Sequence, residues 1–246
     1  MTSNRHTSAR LTRAPVPRPR LRGVEPELID PLEAMATTRA IRRYRDEPVP
    51  DEVLSAVLFA ASRAPTGSNR QSFRFLVLRD GERAMAAKRI LGSGARLVWN
   101  VKKERDGYDR HTEEAPDSPK SRLARTMFEF VDRFEQTPVV ILACLERYRP
   151  GPEETIGASI YPACQNLLVA ARALGYGGVM TGWHAPVEAQ LREVLGIPEG
   201  VALHACITLG VPAGHHGPLR RKPLSTLVHD ARWGRAATWL GDRDGA

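Results

Sequence analysis

Thr38-Arg39-Ala40-Ile41-Arg42-Arg43-Tyr44 is the stretch of this 246-residue chain that says most about its fold, and it leads into Asp46-Glu47-Pro48-Val49-Pro50. The pattern predicts a helix over residues 28–43, with Arg39 and Arg42 on one face because they lie three residues apart. Two guanidinium groups on one face suit a phosphate or another electron-rich edge, since each planar group can bind two oxygens at once. A solvated basic helix face is the alternative, and the heptapeptide alone favours that alternative.

A second informative stretch follows one predicted helix later: Ala64-Pro65-Thr66-Gly67-Ser68-Asn69-Arg70-Gln71-Ser72-Phe73. Its proline, glycine, serine and asparagine residues oppose a helix and predict a turn-rich loop. Gly67 lets the backbone approach a flat ligand closely, and Asn69 and Gln71 offer amide donors and acceptors. The alternative is an ordinary loop between a helix and a strand.

Hydrophobic periodicity predicts the α+β class, in which helices carry most of the chain and surround a central sheet. The predicted helices cover residues 28–43, 51–64, 82–90, 156–174 and 186–195, and the predicted strands cover 73–78, 139–145, 177–182 and 201–209. The run 139–145 is apolar throughout, as expected of a strand buried on both faces. Residues 92–137 are the least regular, and they predict either a lid over a substrate site or a disordered loop followed by a core helix.

The net charge of +8 is concentrated at the N-terminus. Residues 1–23 hold six arginines and no acid, whereas the rest of the chain has 30 basic and 28 acidic side chains. We therefore predict a disordered basic tail over residues 1–27 and one domain over residues 28–246. Because the excess charge belongs to the tail, nucleic-acid binding is the weakest functional hypothesis, and we expect no nucleic-acid partner.

The three cysteines, Cys144, Cys164 and Cys206, lie in apolar segments at spacings that match no metal site. We expect buried reduced thiols, which fits a cytoplasmic protein. His215 and His216 form a pair without a third ligand at metal spacing, so no metal site is predicted. No apolar run approaches the length of a membrane-spanning helix, and no membrane association is expected.

Further features follow in order along the chain, and together with the first two they make a specific pattern. They are the run Ala158-Ser159-Ile160-Tyr161-Pro162-Ala163-Cys164-Gln165-Asn166-Leu167-Leu168, then Ala173-Leu174-Gly175-Tyr176-Gly177-Gly178, Leu195-Gly196-Ile197-Pro198-Glu199-Gly200, Gly210-Val211-Pro212 and Arg220-Arg221-Lys222-Pro223-Leu224. From about Leu28 to Trp233 the chain resembles the nitroreductase family of FMN-dependent oxidoreductases. The resemblance implies a mostly antiparallel central sheet wrapped by helices, an intertwined homodimer, FMN as cofactor, and NADH or NADPH as reductant. Residues 92–137 would be the variable region that covers the substrate.

The resemblance also implies roles for individual residues. Arg39, Arg220 and Lys222 would hold the FMN phosphate, and Arg42 would lie at N1 and O2 of the ring, where negative charge builds on reduction. Pro65, Thr66 and Gly67 would approach the flavin from the partner subunit, with Asn69 nearby. Thr181 and Gly182 would lie near N5, and Asn100 at the pyrimidine edge. Thr38 and Ala40 stand where the family often has arginine and a phosphate-binding serine, and Arg220 and Arg221 could offset that loss.

Four functional hypotheses remain open at this point. The first is an FMN-dependent NAD(P)H oxidoreductase that passes hydride through flavin N5 to a small electrophilic acceptor such as a nitroaromatic or a quinone. The second is a different flavin chemistry on the same fold, namely dehalogenation, enoate reduction or flavin destruction. The third is a non-catalytic flavin-binding protein, and the fourth is the nucleic-acid binder. No protein nucleophile is required, and His184 is either a proton donor or a locally packed side chain.

Overall fold

The computed structural model describes residues 29–147, 156–214, 219 and 221–240. The helices are α1 (Pro31–Thr37), α2 (Asp51–Ser62), α3 (Glu82–Arg105), α4 (Tyr108–Glu114), α5 (Pro119–Asp132), α6 (Tyr161–Ala173) and α7 (Glu188–Leu195). The strands are β1 (Phe73–Leu78), β2 (Val139–Glu146), β3 (Gly177–Thr181) and β4 (Val201–Gly210). All four predicted strands are confirmed. Two predicted helices are confirmed as well: α2, which begins at Asp51, and α7, which ends at Leu195.

The four strands form one sheet in the order β1-β2-β4-β3, and every neighbouring pair is antiparallel. This confirms the mixed helix and antiparallel sheet class. Val140 of β2 is opposite Thr208 of β4, which in turn is opposite Val179 of β3. The register between β2 and β4 shifts between Ala143 and Cys144. Strand β3 is thus one edge of the sheet, and this edge carries the candidate site.

Strand β2 divides the core in two because successive side chains of a strand point to opposite faces. Val140, Leu142 and Cys144 join one cluster, which is completed by α3, α5 and α7. Ile141, Ala143 and their neighbours join the other, which is completed by α2 and α6. Burying a side chain such as Leu142 or Ile141 contributes about 1.5–3 kcal/mol. The sheet is therefore covered by helices on both faces, as the unbroken apolar run 139–145 predicted.

The predicted helix over residues 28–43 is wrong beyond Thr37, so Arg39 and Arg42 do not share a helix face. Helix α1 begins at the cap Asp30 and ends at Thr38, whose backbone is extended. The amide of Thr38 still donates to Ala34 in the helix, but beyond it the backbone pairs with β3, and the amide of Ile41 donates to the carbonyl of Gly178 at 3.0 Å. A sheet-edge pairing distant in sequence has overridden the local helical spacing.

Residues 92–137 are also more regular than predicted, because α3, α4 and α5 occupy most of them. The predicted helix 82–90 continues to Arg105 through two glycines that are packing contacts rather than helix breakers. A Cβ at Gly92 would clash with Glu135, and a Cβ at Gly94 would clash with the carbonyl of Trp183. The disordered-loop interpretation is wrong for 105–120, whereas the core helix is confirmed: α5 buries Ala124 and three larger side chains. Whether these helices act as a lid remains a prediction.

Two other predictions concern the start of α6 and the N-terminus. The predicted helix 156–174 begins as α6 only at Tyr161, and Gly175 follows its end with φ +80°, as a C-terminal glycine should. The predicted tail 1–27 lies outside the described residues, as does Arg220.

Candidate functional site

The segment 38–46 lies along the β3 edge of the sheet and fixes the positions of Arg39 and Arg42. Ala40 pairs with Gly178 in a parallel bridge. Further along, the amide of Arg45 donates to Val211 and the amide of Ala213 donates to Arg43, both at 2.9 Å. The segment is thereby held between β3 and the chain that follows β4. These backbone bonds therefore fix the points at which Arg39 and Arg42 leave the main chain.

Two glycines permit this close approach. A Cβ at Gly177 would lie 3.1 Å from Cβ of Ile41, and a Cβ at Gly178 would clash with the carbonyl oxygen of Thr208. Tyr44 secures the other end, since its hydroxyl lies 2.7 Å from both the carbonyl of Ile41 and Oγ1 of Thr208. Burial raises the pKa of Tyr44, so the phenol stays neutral and able to donate. The Gly-Gly pair of the sequence pattern is thus a packing requirement of the site.

Arg39 lines a cleft of about 400 Å³ together with Thr38, Ala40 and Arg221. The hydroxyl of Thr38 donates to the carbonyl of Ala34 at 2.6 Å, and Ala40 has no polar side chain. The cationic groups that line the cleft are therefore Arg39 and Arg221. Lys222 is exposed and does not line this cleft, and Arg220 lies outside the described residues. The family resemblance implies that Lys222 holds the phosphate and gives Arg221 only a compensating role, whereas in the structure Arg221 lines the cleft, and the basic run 220–222 is the sequence signal that points to it.

Arg42 is half-buried, and within the described part of the chain its Nε has no hydrogen-bond partner. Burial lowers the pKa of its guanidinium, an effect that Tyr44 opposes, Arg39 increases and Tyr108 opposes. Nε1 of Trp99 is a second buried donor without a partner in the described residues. Tyr108 connects the two groups, because its ring lies 5.1 Å from that of Trp99 and it acts electrostatically on Arg42. A buried donor without a partner is costly, and an electron-rich ring edge would provide the missing acceptors.

Asn100 follows Trp99 on α3, and its side chain is exposed. Thr181 ends β3, where its hydroxyl donates to the carbonyl of Cys206 at 3.2 Å. Gly182 is exposed, and a Cβ there would meet no atom within 4 Å, so open space adjoins the turn. The turn at Gly182 is therefore open to solvent, and the predicted roles of Asn100, Thr181 and Gly182 at the flavin remain predictions.

The residues after this turn are structural. Trp183 packs against Phe130 and Phe134 with ring centroids 5.1 and 5.6 Å apart. His184 is buried, and its Nε2 lies 3.2 Å from the carbonyl of Leu203. Burial lowers the pKa of His184, which keeps the imidazole neutral. This geometry favours local packing over the alternative role as a proton donor.

The loop 64–69 is strained and anchored away from Arg39. Ser68, Asn69 and Gln71 have φ values of +53°, +51° and +51°, a region that costs non-glycine residues about 1–3 kcal/mol each. Thr66 accepts a hydrogen bond from the amide of Gln71 at 3.0 Å, and Ser159 accepts one from the amide of Gly67 at 3.2 Å. These bonds present Pro65, Gly67 and Asn69 to solvent.

Helix α6 separates this loop from the arginines. Ser159 lies just before its first residue, Tyr161. Near the other end, Nε of Arg172 donates to the hydroxyl of Thr37, the residue before Thr38. The rise from Tyr161 to Arg172 is roughly 17 Å at 1.5 Å per residue. One chain therefore does not bring Pro65, Thr66, Gly67 and Asn69 to the cleft that Arg39 lines.

Neither a metal cluster nor a membrane span occurs in the part of the chain that the structure describes. In residues 29–147, 156–214, 219 and 221–240, no group of three or more histidine, cysteine or acidic side chains could hold a metal ion. In the same ranges no helix is both long and apolar enough to cross a membrane.

Comparisons with known proteins identify the family of the chain. The chain is 29% identical to an NADH dehydrogenase of Thermus thermophilus, covering 82% of this chain and 96% of the relative. It is 26% identical to a 5,6-dimethylbenzimidazole synthase of Rhodospirillum rubrum, covering 78% and 87%. Among solved structures, a Desulfovibrio desulfuricans nitroreductase in complex with FMN is 29% identical, with a TM-score of 0.59 over 82% of this chain and 97% of that one. The model of the Nitroreductase family matches residues 35–211, and the chain belongs to that family.

Proposed function

We propose that the chain is an FMN-dependent NAD(P)H oxidoreductase that reduces a small electrophilic acceptor such as a nitroaromatic or a quinone. The observation that carries this proposal is the arrangement of Arg39 and Arg42 on one segment that pairs with the edge strand β3. Three residues of extended backbone span about 10 Å, which is comparable with the five-carbon ribityl chain and phosphate ester that separate the two ends of FMN. Arg39 with Arg221 suits the phosphate end, and the unpartnered Nε of Arg42 suits the ring edge.

The residues of this chain would bind and tune the cofactor. FMN, when bound, supplies the hydride-carrying atom N5. The Arg42 cation would stabilise the negative charge at N1 and O2, and its partial burial strengthens that interaction. Thr181 and Gly182 would border the ring, because the open space beside Gly182 leaves room for it. Asn100 and Lys222 remain proposed contacts, as does Arg220.

We further propose that the active form is a homodimer. The loop 64–69 and Arg39 are at opposite ends of α6, so a site that uses both needs two chains. Large apolar side chains are exposed on α1, on α3 and in the C-terminal segment: Leu32, Met35, Leu97, Val98, Val101, Trp233 and Trp239. A second copy of the chain would cover such surface. Sedimentation velocity of the flavin-loaded protein tests this, and a flavin-saturated monomer would refute it.

We also propose that the protein is cytoplasmic. Cys144, Cys164 and Cys206 are buried free thiols, which suits a reducing cytoplasm. A tagged full-length protein expressed at its natural level should fractionate with cytoplasmic markers.

An absorbance spectrum followed by anaerobic titration tests the proposed activity. The purified protein should show the two visible bands of bound flavin, and NADH or NADPH should bleach them. A colourless protein that takes up no added FMN would refute flavin binding. A yellow protein that neither reductant bleaches would be a flavin-binding protein without this activity.

Other chemistry on the same flavin is the second candidate, and the similarity to the dimethylbenzimidazole synthase favours it. That relative's name concerns a different product, so the fold alone does not determine the acceptor. Aerobic incubation with reductant distinguishes the two candidates. Bound FMN should survive many turnovers with a quinone acceptor, whereas stoichiometric loss of the flavin spectrum would indicate flavin destruction.

A further inference from the structure

A second cleft, of about 640 Å³, opens further along the same segment, beyond the cleft that Arg39 lines. We call it the arginine cleft, after the four arginines among its lining residues. The residues that line it include Arg42, Arg43, Arg45, Glu129, Arg133 and Gln136. Four cations face two carboxylates, those of Glu129 and Asp46, so the lining has an excess positive charge of two.

The walls of the arginine cleft are held in place by buried contacts. On one side, the carbonyl of Arg43 accepts the hydrogen bond from Ala213. On the other side, buried Lys88 donates to the carbonyls of Thr137 and Pro138 at 2.9 and 3.3 Å. These bonds fix the turn that carries Gln136. The cleft is therefore formed before any ligand arrives, which reduces the entropy lost on binding.

The cations of the cleft are only partly neutralised. Arg133 lies 4.0 Å from Glu129, and its Nε donates to Oε1 of Gln136 at 2.8 Å, which orients the guanidinium. Arg45 lies 3.5 Å from Glu47. Among the described residues none forms an ion pair with Arg43. Exposed pairs such as these contribute at most about 1 kcal/mol, so a doubly charged ligand can displace the carboxylates.

We propose that the arginine cleft binds a phosphate monoester of the reductant, so that the enzyme prefers NADPH to NADH. The guanidinium fork matches phosphate oxygens, and the 2′-phosphate is the group that distinguishes the two nucleotides. Arg42 connects the cleft to the ring edge of the proposed flavin, which places the cleft beside the hydride-transfer site. The proposal rests on the proposed function, because it assigns a reductant to the same site.

The test compares the full-length, flavin-loaded protein with Arg43→Gln and Arg133→Gln. Two measurements are made: the apparent Kd of NADPH and of NADH from anaerobic flavin bleaching, and the Kd of NADP⁺ and NAD⁺ from calorimetry. Each substitution should raise the apparent Kd of NADPH and the Kd of NADP⁺ roughly tenfold, as expected for a lost charged hydrogen bond. The Kd values of NADH and NAD⁺ should change by less than about twofold, since a single rim charge acts weakly on a nucleotide without the 2′-phosphate and is screened by salt.

Two further variants sharpen the comparison. Arg89→Gln, at an exposed position on α3 that does not line the cleft, makes the same change in net charge and should leave the nucleotide preference unchanged. Glu129→Gln frees Arg133 from its carboxylate and should tighten NADPH binding by a few-fold. A preference for NADPH that falls in both arginine variants and rises in Glu129→Gln supports the proposal.

Other outcomes overturn it in distinguishable ways. Equal changes for both nucleotides, or none, show that the cleft does not read the 2′-phosphate. Loss of FMN from the arginine variants shows that the cleft holds the flavin phosphate, and the proposed function then stands without this inference. An increased KM for a carboxylated nitroaromatic alone, with a neutral nitroaromatic unaffected, assigns the cleft to the acceptor. If the protein takes up no flavin, the proposed function fails, and the calorimetric preference for NADP⁺ still decides this inference.

Discussion

Replacing Arg42 by alanine should weaken the binding of reduced FMN far more than that of oxidised FMN. The guanidinium is half-buried, and its Nε has no partner within the described residues, so a ring edge placed there would meet a poorly solvated cation. Two unit charges 4 Å apart interact by about 4 kcal/mol at an effective dielectric constant near 20. The partial exposure of Arg42 reduces this value. We therefore expect a differential loss of about 2.7 kcal/mol, which is a hundredfold in Kd and agrees with the loss of one oxyanion-type contact.

This differential loss fixes the change in reduction potential. For a two-electron couple, each tenfold ratio between the affinities of the oxidised and reduced forms shifts the potential by about 30 mV. The bound flavin in Arg42→Ala should thus have a midpoint potential about 60 mV below that of the unmodified protein. Flavin reduction by NAD(P)H should slow accordingly, because the Arg42 interaction is strongest where the charge develops.

Spectroelectrochemical titration of the flavin-loaded protein measures the potential, and fluorescence titration measures the Kd of oxidised FMN. Arg89→Ala is the control, since it removes the same charge from an exposed position on α3. Its potential should stay within a few millivolts of the starting value. Equal losses of affinity for the two oxidation states, with an unchanged potential, would refute the placement of Arg42 at the ring edge.

Four other perturbations test separate parts of the reasoning. Arg39→Ala should raise the Kd of FMN roughly tenfold by removing a charged hydrogen bond to the phosphate, while the potential of the flavin that remains bound stays unchanged in the same titration. Deleting residues 1–23 should leave flavin content, mass in solution and turnover unchanged, because six arginines and little apolar content provide nothing to pack; a colourless truncated protein would assign the tail to the cofactor site. Gly178→Ala should cost about 1–3 kcal/mol in the free energy of unfolding measured in urea and should lower flavin content, whereas Gly200→Ala, with open space around it, serves as its control. Burial raises the pKa of Cys144 to about 11 and those of Cys164 and Cys206 to about 12, so at about pH 8 all three thiols should resist alkylation in the folded protein and react in guanidinium chloride, as mass spectrometry can count.

The parts of the fold that could be predicted are those decided by local pattern. The apolar run 139–145 identifies β2, and the spacing of Val53, Leu54 and Val57 identifies α2. The helix predicted over residues 28–43 is wrong beyond Thr37 for a non-local reason. The amide of Ile41 donates to the carbonyl of Gly178, which lies on a strand 137 residues further along the chain. No window of local sequence contains both partners.

In the candidate site, too, local sequence predicts some features, and contacts between distant residues determine the others. The sequence pattern located the basic positions around residues 39–42 and 220–222, but only the three-dimensional structure distinguishes Arg221, which lines the cleft of Arg39, from the exposed Lys222. The helix through Gly92 and Gly94 was also missed, since glycine spacing cannot reveal that Glu135 and Trp183 pack against them. Such contacts depend on how helices approach one another, which periodicity does not encode.

The attachment of segment 38–46 to the far end of the chain has a consequence for biosynthesis. The hydroxyl contact between Tyr44 and Thr208 joins residues 164 positions apart, and Arg43 and Arg45 bond to residues 213 and 211. While a ribosome makes the chain, its first two hundred residues emerge with β3 but without β4 and residues 211–213, which hold the other end of the segment. Closing so long a loop is slow compared with forming local helices. The segment is therefore held at both ends only after residue 213 has been made, so we expect flavin loading to follow the synthesis of β4 and residues 211–213.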